Sequence, residues 1–320
     1  MPLLFDMPRE DLFKYQGTNP CPKDFDSYWD NAITEMKSVS PNVELILSDF
    51  QVPYADCYDM YFTGVKNARI HAQLIRPKNI DKPSPAVLMF HGYTANACDW
   101  HHKLAYAAMG YTVAAMDCRG QGGMSEDTGN VLGNTFHGHI IRGLDGPSDN
   151  MLFRHIFLDT AELAKIIMDL PEVDNSRVCA TGVSQGGGLT LACASLVPEI
   201  KLAAIAFPFL CDYQRIWELD LAENAYEELK QYFRFFDPQH KREKEIFEKL
   251  GYIDVQHLTK RIKAKIVMAS SFQDKICPPS TQFAAYNKIR SEKSHIIYPD
   301  FEHEDLPGFF DRVFQEIIKI

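Results

Sequence analysis

Residues 178–197 read VCATGVSQGGGLTLACASLV. A short apolar run comes first, a G-x-S-x-G motif spans Gly182 to Gly186, and a second apolar segment follows. This order predicts a buried strand, a tight turn that carries Ser184, and a helix. Such a turn presents a nucleophilic serine on strained backbone, and the N–H groups at the start of the helix favour a developing negative charge. The alternative is a glycine-rich turn before a helix, with no chemical role.

Short apolar runs like the one before Ser184 recur from residue 86 onward. They lie at residues 86–90, 111–116, 178–180, 202–206, 266–269 and 296–298. Segments with helical periodicity separate most consecutive pairs, at residues 98–109, 151–170, 186–197, 280–290 and 306–319. Strands that are covered on both faces read as continuous apolar runs. The pattern therefore predicts the α/β class, with a mostly parallel sheet between helices on both faces.

Two segments depart from that alternation. Residues 1–80 contain a predicted amphipathic helix over 23–40 and then apolar–polar alternation over 43–76, which predicts antiparallel strands. Residues 212–251 are rich in charge and aromatics and predict two or three helices with a break at 237–238. We interpret all 320 residues as a single domain with an N-terminal extension and a helical insertion.

A glycine-rich stretch over residues 118–150 shows little periodicity. Loops of this length in compact domains are usually functional or interfacial. The segment Gly120-Gln121-Gly122-Gly123 has neither the lysine of a P-loop nor G-x-G-x-x-G spacing, so it does not predict nucleotide binding.

The composition is that of a globular protein and argues against several partners. With 46% hydrophobic and 24% charged residues, intrinsic disorder is excluded. There are 33 Lys and Arg against 43 Asp and Glu, a net charge of −10, and no basic stripe, so nucleic acid is not an expected partner.

No apolar run approaches the roughly 20 residues of a membrane span, and we identify no signal peptide. The eight cysteines are scattered without a CxxC pair, so we expect reduced thiols in a cytoplasmic protein.

A nucleophilic serine needs a base and an acid that orients it. In the α/β-hydrolase fold, both follow the serine in the chain, each after a later strand. Asp274 follows the apolar run at 266–269, and His303 follows the run at 296–298. The alternatives are a turn-forming aspartate and a surface histidine, and Asp300 competes as the acid.

The oxyanion hole of this fold uses the N–H of the residue after the nucleophile and an N–H of the loop after the third strand. These positions are Gln185 and Tyr93. His91 precedes Ser184 in the chain and is expected to be structural. The histidine pairs at 101–102 and 137–139 do not predict a metal site, because adjacent residues on a helix face different directions and no H-E-x-x-H motif is present. We expect neither a metal nor another cofactor.

Three blocks of the sequence resemble the signature of carbohydrate esterase family seven, the acetyl xylan esterases and cephalosporin-C deacetylases. The blocks are Arg119-Gly120-Gln121, Gly182-Val183-Ser184-Gln185-Gly186 and His303-Glu304. Similarity to the family continues at residues 116–123, 154–159 and 277–283, so the resemblance runs over nearly the whole chain.

The resemblance implies a serine esterase that removes acetyl groups from small acetylated sugars and from cephalosporin C. It implies Ser184 as nucleophile, His303 as base and Asp274 as the orienting acid, with Tyr93 and Gln185 as oxyanion donors. It also implies a cytoplasmic homohexamer whose active sites face an interior cavity. The remaining block residues are interpreted as a scaffold around the site: Arg119, Gly120, Gln121 and Glu304.

Two positions depart from the family pattern. Glu302 precedes His303, where the family usually has glycine, and this added charge beside the base is expected to shift the pH optimum upward. The loop Tyr93-Thr94-Ala95-Asn96 lacks a further glycine that the family tends to have, which is expected to stiffen it.

Three other functions remain open at this stage. One is a general short-chain carboxylesterase with a different natural substrate. Another is a peptidase of the same fold, but 320 residues leave no room for a propeller domain. The last is a non-catalytic relative used as a binding module, although such relatives usually lose the serine, the histidine or the acid.

Overall fold

A nine-stranded sheet with strand order β1-β2-β3-β5-β4-β6-β7-β8-β9 organises the protein. This computed structural model describes residues 5–127 and 137–320. The strands are β1 Glu44–Leu47, β2 Ala55–Thr63, β3 Arg69–Pro77, β4 Ser84–Phe90, β5 Thr112–Met116, β6 Val173–Val183, β7 Leu202–Ala206, β8 Lys265–Ser271 and β9 Lys293–Tyr298. Strands β4 to β9 pair in parallel, and β1 to β3 pair antiparallel and join the sheet through β5. The predicted α/β-hydrolase class is confirmed.

Helices follow the strands in the predicted alternation. They are α1 Arg9–Leu12, α2 Phe25–Ser38, α3 Leu104–Ala108, α4 Leu152–Met168, α5 Gln185–Leu196, α6 Tyr213–Glu218, α7 Glu227–Phe236, α8 Glu243–Leu250, α9 Val255–Leu258, α10 Pro279–Lys288 and α11 Phe309–Ile317. Every residue of the central strands β5 and β7 is buried, which explains why their sequences are continuously apolar. Among the described helices, none is both long and apolar enough to cross a membrane.

The N-terminal extension packs onto the same core as the sheet. Trp29 of α2 stacks on Phe157 of α4 with ring centroids 5.9 Å apart. The β2–β3 hairpin turns at Lys66 and Asn67, which both take a positive φ. Two predicted features, the extension over 1–80 and the glycine-rich stretch over 118–150, fall partly outside the described residues, at 1–4 and 128–136.

The insertion between β7 and β8 begins with helices α6, α7 and α8. Helix α7 ends before Asp237-Pro238, as predicted, and the Asp237 carboxylate accepts the N–H groups of residues 241 and 242. Trp217 packs on Phe233 and Phe247 at ring distances of 4.8 and 6.3 Å. These aromatics therefore form a small core within the insertion itself.

Candidate active site

Ser184 occupies a strained turn between β6 and α5. Its φ of 56° and ψ of −121° lie in a region that L-residues rarely adopt. Two backbone hydrogen bonds hold the turn: Ser184 N–H donates to Ala206 at 3.1 Å, and Phe209 N–H donates to the Ser184 carbonyl at 3.0 Å. Such a conformation costs roughly 1–3 kcal/mol and persists only where its surroundings enforce it. The turn projects the serine hydroxyl from the carboxyl edge of the parallel sheet.

The two motif glycines allow this turn because backbone atoms approach them closely. A Cβ on Gly182 would lie 2.4 Å from the carbonyl oxygen of Gly186. A Cβ on Gly186 would lie 2.0 Å from the carbonyl oxygen of Phe90. Because backbone cannot move aside as a flexible side chain can, any larger residue at either position would displace the turn.

The structure brings the Ser184, His303 and Asp274 side chains into one hydrogen-bonded chain. His303 Nε2 lies 3.0 Å from Ser184 Oγ, and His303 Nδ1 lies 2.8 Å from Asp274 Oδ2. The carboxylate partner assigns the proton to Nδ1, which leaves Nε2 to accept the serine hydroxyl hydrogen. This is the arrangement that a serine needs in order to lose its proton during attack on a carbonyl.

Asp274, three residues beyond the end of β8, is fully buried. Its Oδ1 accepts the N–H groups of Ile276 at 2.9 Å and Cys277 at 2.8 Å. These bonds fix the carboxylate and leave Oδ2 directed at the imidazole. The competing acid Asp300 lies exposed in the turn after β9. Of the two candidate acids, Asp274 is therefore the one hydrogen-bonded to His303.

The two expected oxyanion donors belong to two different segments. Gln185 is the first residue of α5, and Tyr93 lies in the loop after β4. Within residues 5–127 and 137–320, neither backbone N–H has a hydrogen-bond acceptor. An uncommitted N–H beside a serine nucleophile suits the oxygen of a tetrahedral intermediate.

Comparison with known proteins identifies the family of this chain. The sequence model of the acetyl xylan esterase family (AXE1) matches residues 1–319. The chain belongs to the acetyl xylan esterase family. It is 58% identical to acetyl xylan esterase 1 from Thermoanaerobacterium sp. JW/SL YS485, with a TM-score of 0.95 over 98% of this chain and 99% of that one. The resemblance noted from the three sequence blocks is thereby confirmed.

Two further relatives extend the comparison. The acetyl xylan esterase from Paenibacillus sp. R4 is 34% identical, with a TM-score of 0.90 over 98% of this chain and 99% of that one. Acetyl esterase Axe7A of Xylanibacter ruminicola is 26% identical over 290 residues, which are 88% of this chain. The match spans only 63% of the length of that curated relative.

In this member of the acetyl xylan esterase family, Gln121 connects the loop after β4 to the first residue of α5. Gln121 Oε1 accepts the Thr94 N–H at 2.9 Å, and Gln121 Nε2 lies 2.8 Å from Gln185 Oε1. Both glutamine side chains are fully buried. Thr94 has a φ of 60°, which is unusual for a β-branched residue. Where the family tends to have another glycine in this loop, the present chain instead holds a strained threonine by its hydrogen bond to Gln121.

The other block residues contact the framework of the site. Arg119 forms a buried two-pronged ion pair with Asp159 of α4, at 2.7 and 2.6 Å. Gly120 takes a φ of 70°, which glycine adopts without strain. Glu304 accepts the Glu302 N–H at 3.0 Å and closes the exposed turn around His303. Neither Arg119 nor Glu304 is hydrogen-bonded to the Ser184 hydroxyl.

Two histidines near the site have structural contacts. His91 Nε2 accepts the Cys118 N–H at 3.0 Å, so its Nδ1 carries the proton and donates to the Gly92 carbonyl at 2.7 Å. Burial lowers the pKa of His91. His139 is also buried, which lowers its pKa to about 4 and keeps the ring neutral near pH 7.

Aromatic side chains line the surroundings of the triad. The Phe207 ring lies 4.5 Å from the His303 ring, and the Tyr93 ring lies 5.2 Å from that of Phe209. From the insertion, Tyr226 packs on Phe209 at 4.4 Å. The insertion thus contacts the aromatic surroundings of the site through Tyr226. Phe233 and Phe247 of the insertion pack against Trp217.

Sequence reasoning missed two groups beside the triad. Glu228 of α7 is buried and hydrogen-bonds the Tyr93 hydroxyl, although glutamates are normally exposed and no motif marks this one. Cys277 was expected to be one of the reduced thiols and belongs to a segment similar to the family, but no contact with Asp274 was predicted for it. Burial and the neighbouring Asp274 raise the pKa of its thiol well above the usual value, so the thiol stays protonated.

The side chains of His101 and His102 lie side by side, so the prediction that these adjacent residues face different directions was wrong. The rings of His101 and His102 lie 3.9 Å apart, and their nitrogens and an Asp99 oxygen lie within 4.8 Å of one another. Adjacent residues can meet here because their side chains lie on an exposed 3₁₀ turn, where no packing separates them. Asp274, Cys277 and His303 form a second group of this size, but its carboxylate and imidazole are hydrogen-bonded to each other.

Proposed function

We propose that this protein is a serine esterase that removes acetyl groups from small acetylated sugars, including xylo-oligosaccharides, and from cephalosporin C. The observation that carries the proposal is the hydrogen-bonded chain from Ser184 through His303 to Asp274, beside two uncommitted N–H groups. Membership of the acetyl xylan esterase family supports the choice of an acetyl ester.

The reaction proceeds through an acetyl-enzyme. Ser184 Oγ attacks the acetyl carbonyl while His303 Nε2 takes the hydroxyl proton. The N–H groups of Tyr93 and Gln185 stabilise the oxyanion. The sugar alcohol then leaves with the proton from His303. Water attacks the acetyl-enzyme with His303 again as base, and acetate departs as Ser184 recovers its proton. Asp274 keeps the imidazole in the required tautomer throughout.

The aromatic surroundings predict a short acyl group. Each methylene forced into a filled pocket costs roughly 1–3 kcal/mol of overpacking, which exceeds its hydrophobic gain of about 0.8 kcal/mol. We therefore expect kcat/KM for p-nitrophenyl esters to fall steeply beyond propionate, by about tenfold for each 1.4 kcal/mol of net penalty. Phe207→Ala should extend the accepted chain length. Phe235→Ala, which changes an exposed aromatic of α7, should not.

The outcome of that ester series separates the alternatives. An octanoate ester turned over as well as the acetate would contradict the deacetylase and indicate a lipase-like pocket. Fast hydrolysis of p-nitrophenyl acetate without turnover of acetylated xylobiose or cephalosporin C would favour a general short-chain carboxylesterase. A protein that fails to react with a fluorophosphonate would be a non-catalytic binding module, since only an activated serine is labelled.

We further propose a homohexamer, as the family resemblance implies. The edge strand β1 supports self-association, because all four of its residues are exposed and three of them are apolar. Light scattering of the purified protein is expected to give a mass near six protomers. A monomer at micromolar concentration would contradict this assembly. The cytoplasmic location stays a prediction.

A further inference from the structure

Glu228 is a buried carboxylate that, among the described residues, accepts hydrogen bonds from a hydroxyl and from backbone N–H groups. It is the second residue of α7, and its side chain is 1% exposed. The Tyr93 hydroxyl donates to Oε1, and the N–H groups of Ile140 and Ile141 donate to Oε2 at 2.7 and 3.1 Å. Burial raises the pKa of Glu228 to about 7. A buried carboxyl group is tolerated only when such donors replace water.

These hydrogen bonds join three segments that are distant in sequence. The insertion supplies Glu228, the loop after β4 supplies Tyr93, and residues 140 and 141 belong to the glycine-rich stretch. Tyr93 is 135 residues from Glu228 in the chain, and residues 140 and 141 are 88 and 87 residues from it, so only the tertiary fold brings them together. The carboxylate therefore fixes the position of the Tyr93 side chain relative to the insertion.

Tyr93 is held at several points along its length. Its hydroxyl contacts Glu228, and its ring packs edge-on against His139 and at a tilt against Phe209, both at 5.2 Å. The following residue is held by Gln121, which accepts its N–H. With the side chain and the next peptide fixed, the Tyr93 N–H has little freedom to change its direction.

We propose that Glu228 is a positioning residue for the oxyanion hole, which it maintains by anchoring the Tyr93 hydroxyl to the helical insertion. This inference rests on the proposed esterase function, because it assigns a role to the Tyr93 N–H in that reaction. Loss of the anchor leaves the triad intact and lets the donor drift. An oxyanion hole stabilises the transition state more than the bound ester, so the loss appears in kcat and leaves KM nearly unchanged.

Glu228→Leu and Tyr93→Phe test the anchor from its two ends. Leucine removes both carboxylate oxygens, and phenylalanine removes the hydroxyl while keeping the ring. Glutamine would not break the contact, because its NH₂ group can donate to the Tyr93 hydroxyl. Each variant is expected to lower kcat on p-nitrophenyl acetate by about 10- to 100-fold, since small misplacements of catalytic groups have effects of this size. The double variant should be no worse than the more impaired single variant, because both changes break the same contact.

Further measurements distinguish positioning from folding. Glu227→Leu is the matched control on the same helix, since Glu227 is exposed, and it should leave kcat unchanged. Affinity for a boronic acid that forms a tetrahedral serine adduct should fall in parallel with kcat. The thermal unfolding midpoints should show that both variants are fully folded at the assay temperature, so that unfolding does not explain the loss of activity. Unchanged kcat in both single variants, or effects that multiply in the double variant, would overturn the inference. Absence of esterase activity in the wild-type protein would instead contradict the proposed function itself.

Discussion

Ser184→Ala is expected to lower kcat for acetyl ester hydrolysis by on the order of 10⁴-fold or more. Without the hydroxyl no acetyl-enzyme can form, and the remaining N–H donors stabilise only direct attack by water. His303 and Asp274 then contribute little, because their hydrogen-bonded chain ends at the missing oxygen. The expected residual rate is that of a bound ester beside an oxyanion hole.

The measurement compares purified variants on p-nitrophenyl acetate and on acetylated xylobiose. Thermal unfolding shows whether the alanine variant is as stable as the wild-type protein, since alanine at position 184 must adopt the same strained backbone conformation as the serine. Ser195→Ala is the matched control: Ser195 lies on the helix that follows Ser184, and its hydroxyl donates to the Leu191 carbonyl of that helix. This control should retain nearly full activity. More than a tenth of the wild-type activity in pure Ser184→Ala protein would refute the serine mechanism.

The sequence predicted the sheet and the turn because their causes are local. A central parallel strand is apolar on both faces, so the five residues of β7 are recognisable without knowledge of their neighbours. The turn that carries Ser184 is equally local. Gly182 and Gly186 must be glycines because backbone atoms a few residues away, or in the adjoining strand β4, would clash with a Cβ. The order of Ser184, Asp274 and His303 then placed three side chains at the same edge of the sheet.

Contacts between distant segments could not be read in the same way. Glu228 and Tyr93 are 135 residues apart, and a lone glutamate in a charged segment normally predicts a solvated helix face. Its burial depends on where the insertion docks, which no periodicity specifies. The same limit applies to the insertion aromatics. The composition of the insertion predicted helices, but the partners of Phe233 could be identified only from the tertiary structure.

The buried contact between the Gln121 and Gln185 side chains could be predicted only in part. The family resemblance marked Gln121 as a scaffold residue, and the G-x-S-x-G motif marked Gln185 as an oxyanion donor. Neither pattern indicated that their side chains meet at 2.8 Å across 64 residues of chain. The pairing depends on two loops approaching at the sheet edge, which is a consequence of strand order and not of local sequence.

Asp274→Asn is expected to lower kcat by about 10³- to 10⁴-fold while the protein remains folded. The reason lies in the contacts of the two carboxylate oxygens. Oδ1 accepts the N–H groups of Ile276 and Cys277, so the carbonyl oxygen of the asparagine must occupy that position. The amide NH₂ then faces His303 Nδ1, where Asp274 Oδ2 lies 2.8 Å away in the wild-type protein.

An NH₂ group facing Nδ1 requires that nitrogen to be the acceptor, so the imidazole proton moves to Nε2. A protonated Nε2 cannot take the hydroxyl hydrogen of Ser184, and the loss therefore appears mainly in kcat.

Asp300→Asn is the matched control, because Asp300 is exposed in the turn three residues before His303. It removes the same charge from the loop that carries His303 and should change kcat by less than about threefold, as expected for a screened surface charge. Steady-state kinetics and thermal unfolding of the two variants decide the assignment. If Asp300→Asn is the severely impaired variant and Asp274→Asn the mild one, Asp274 is not the acid that orients His303.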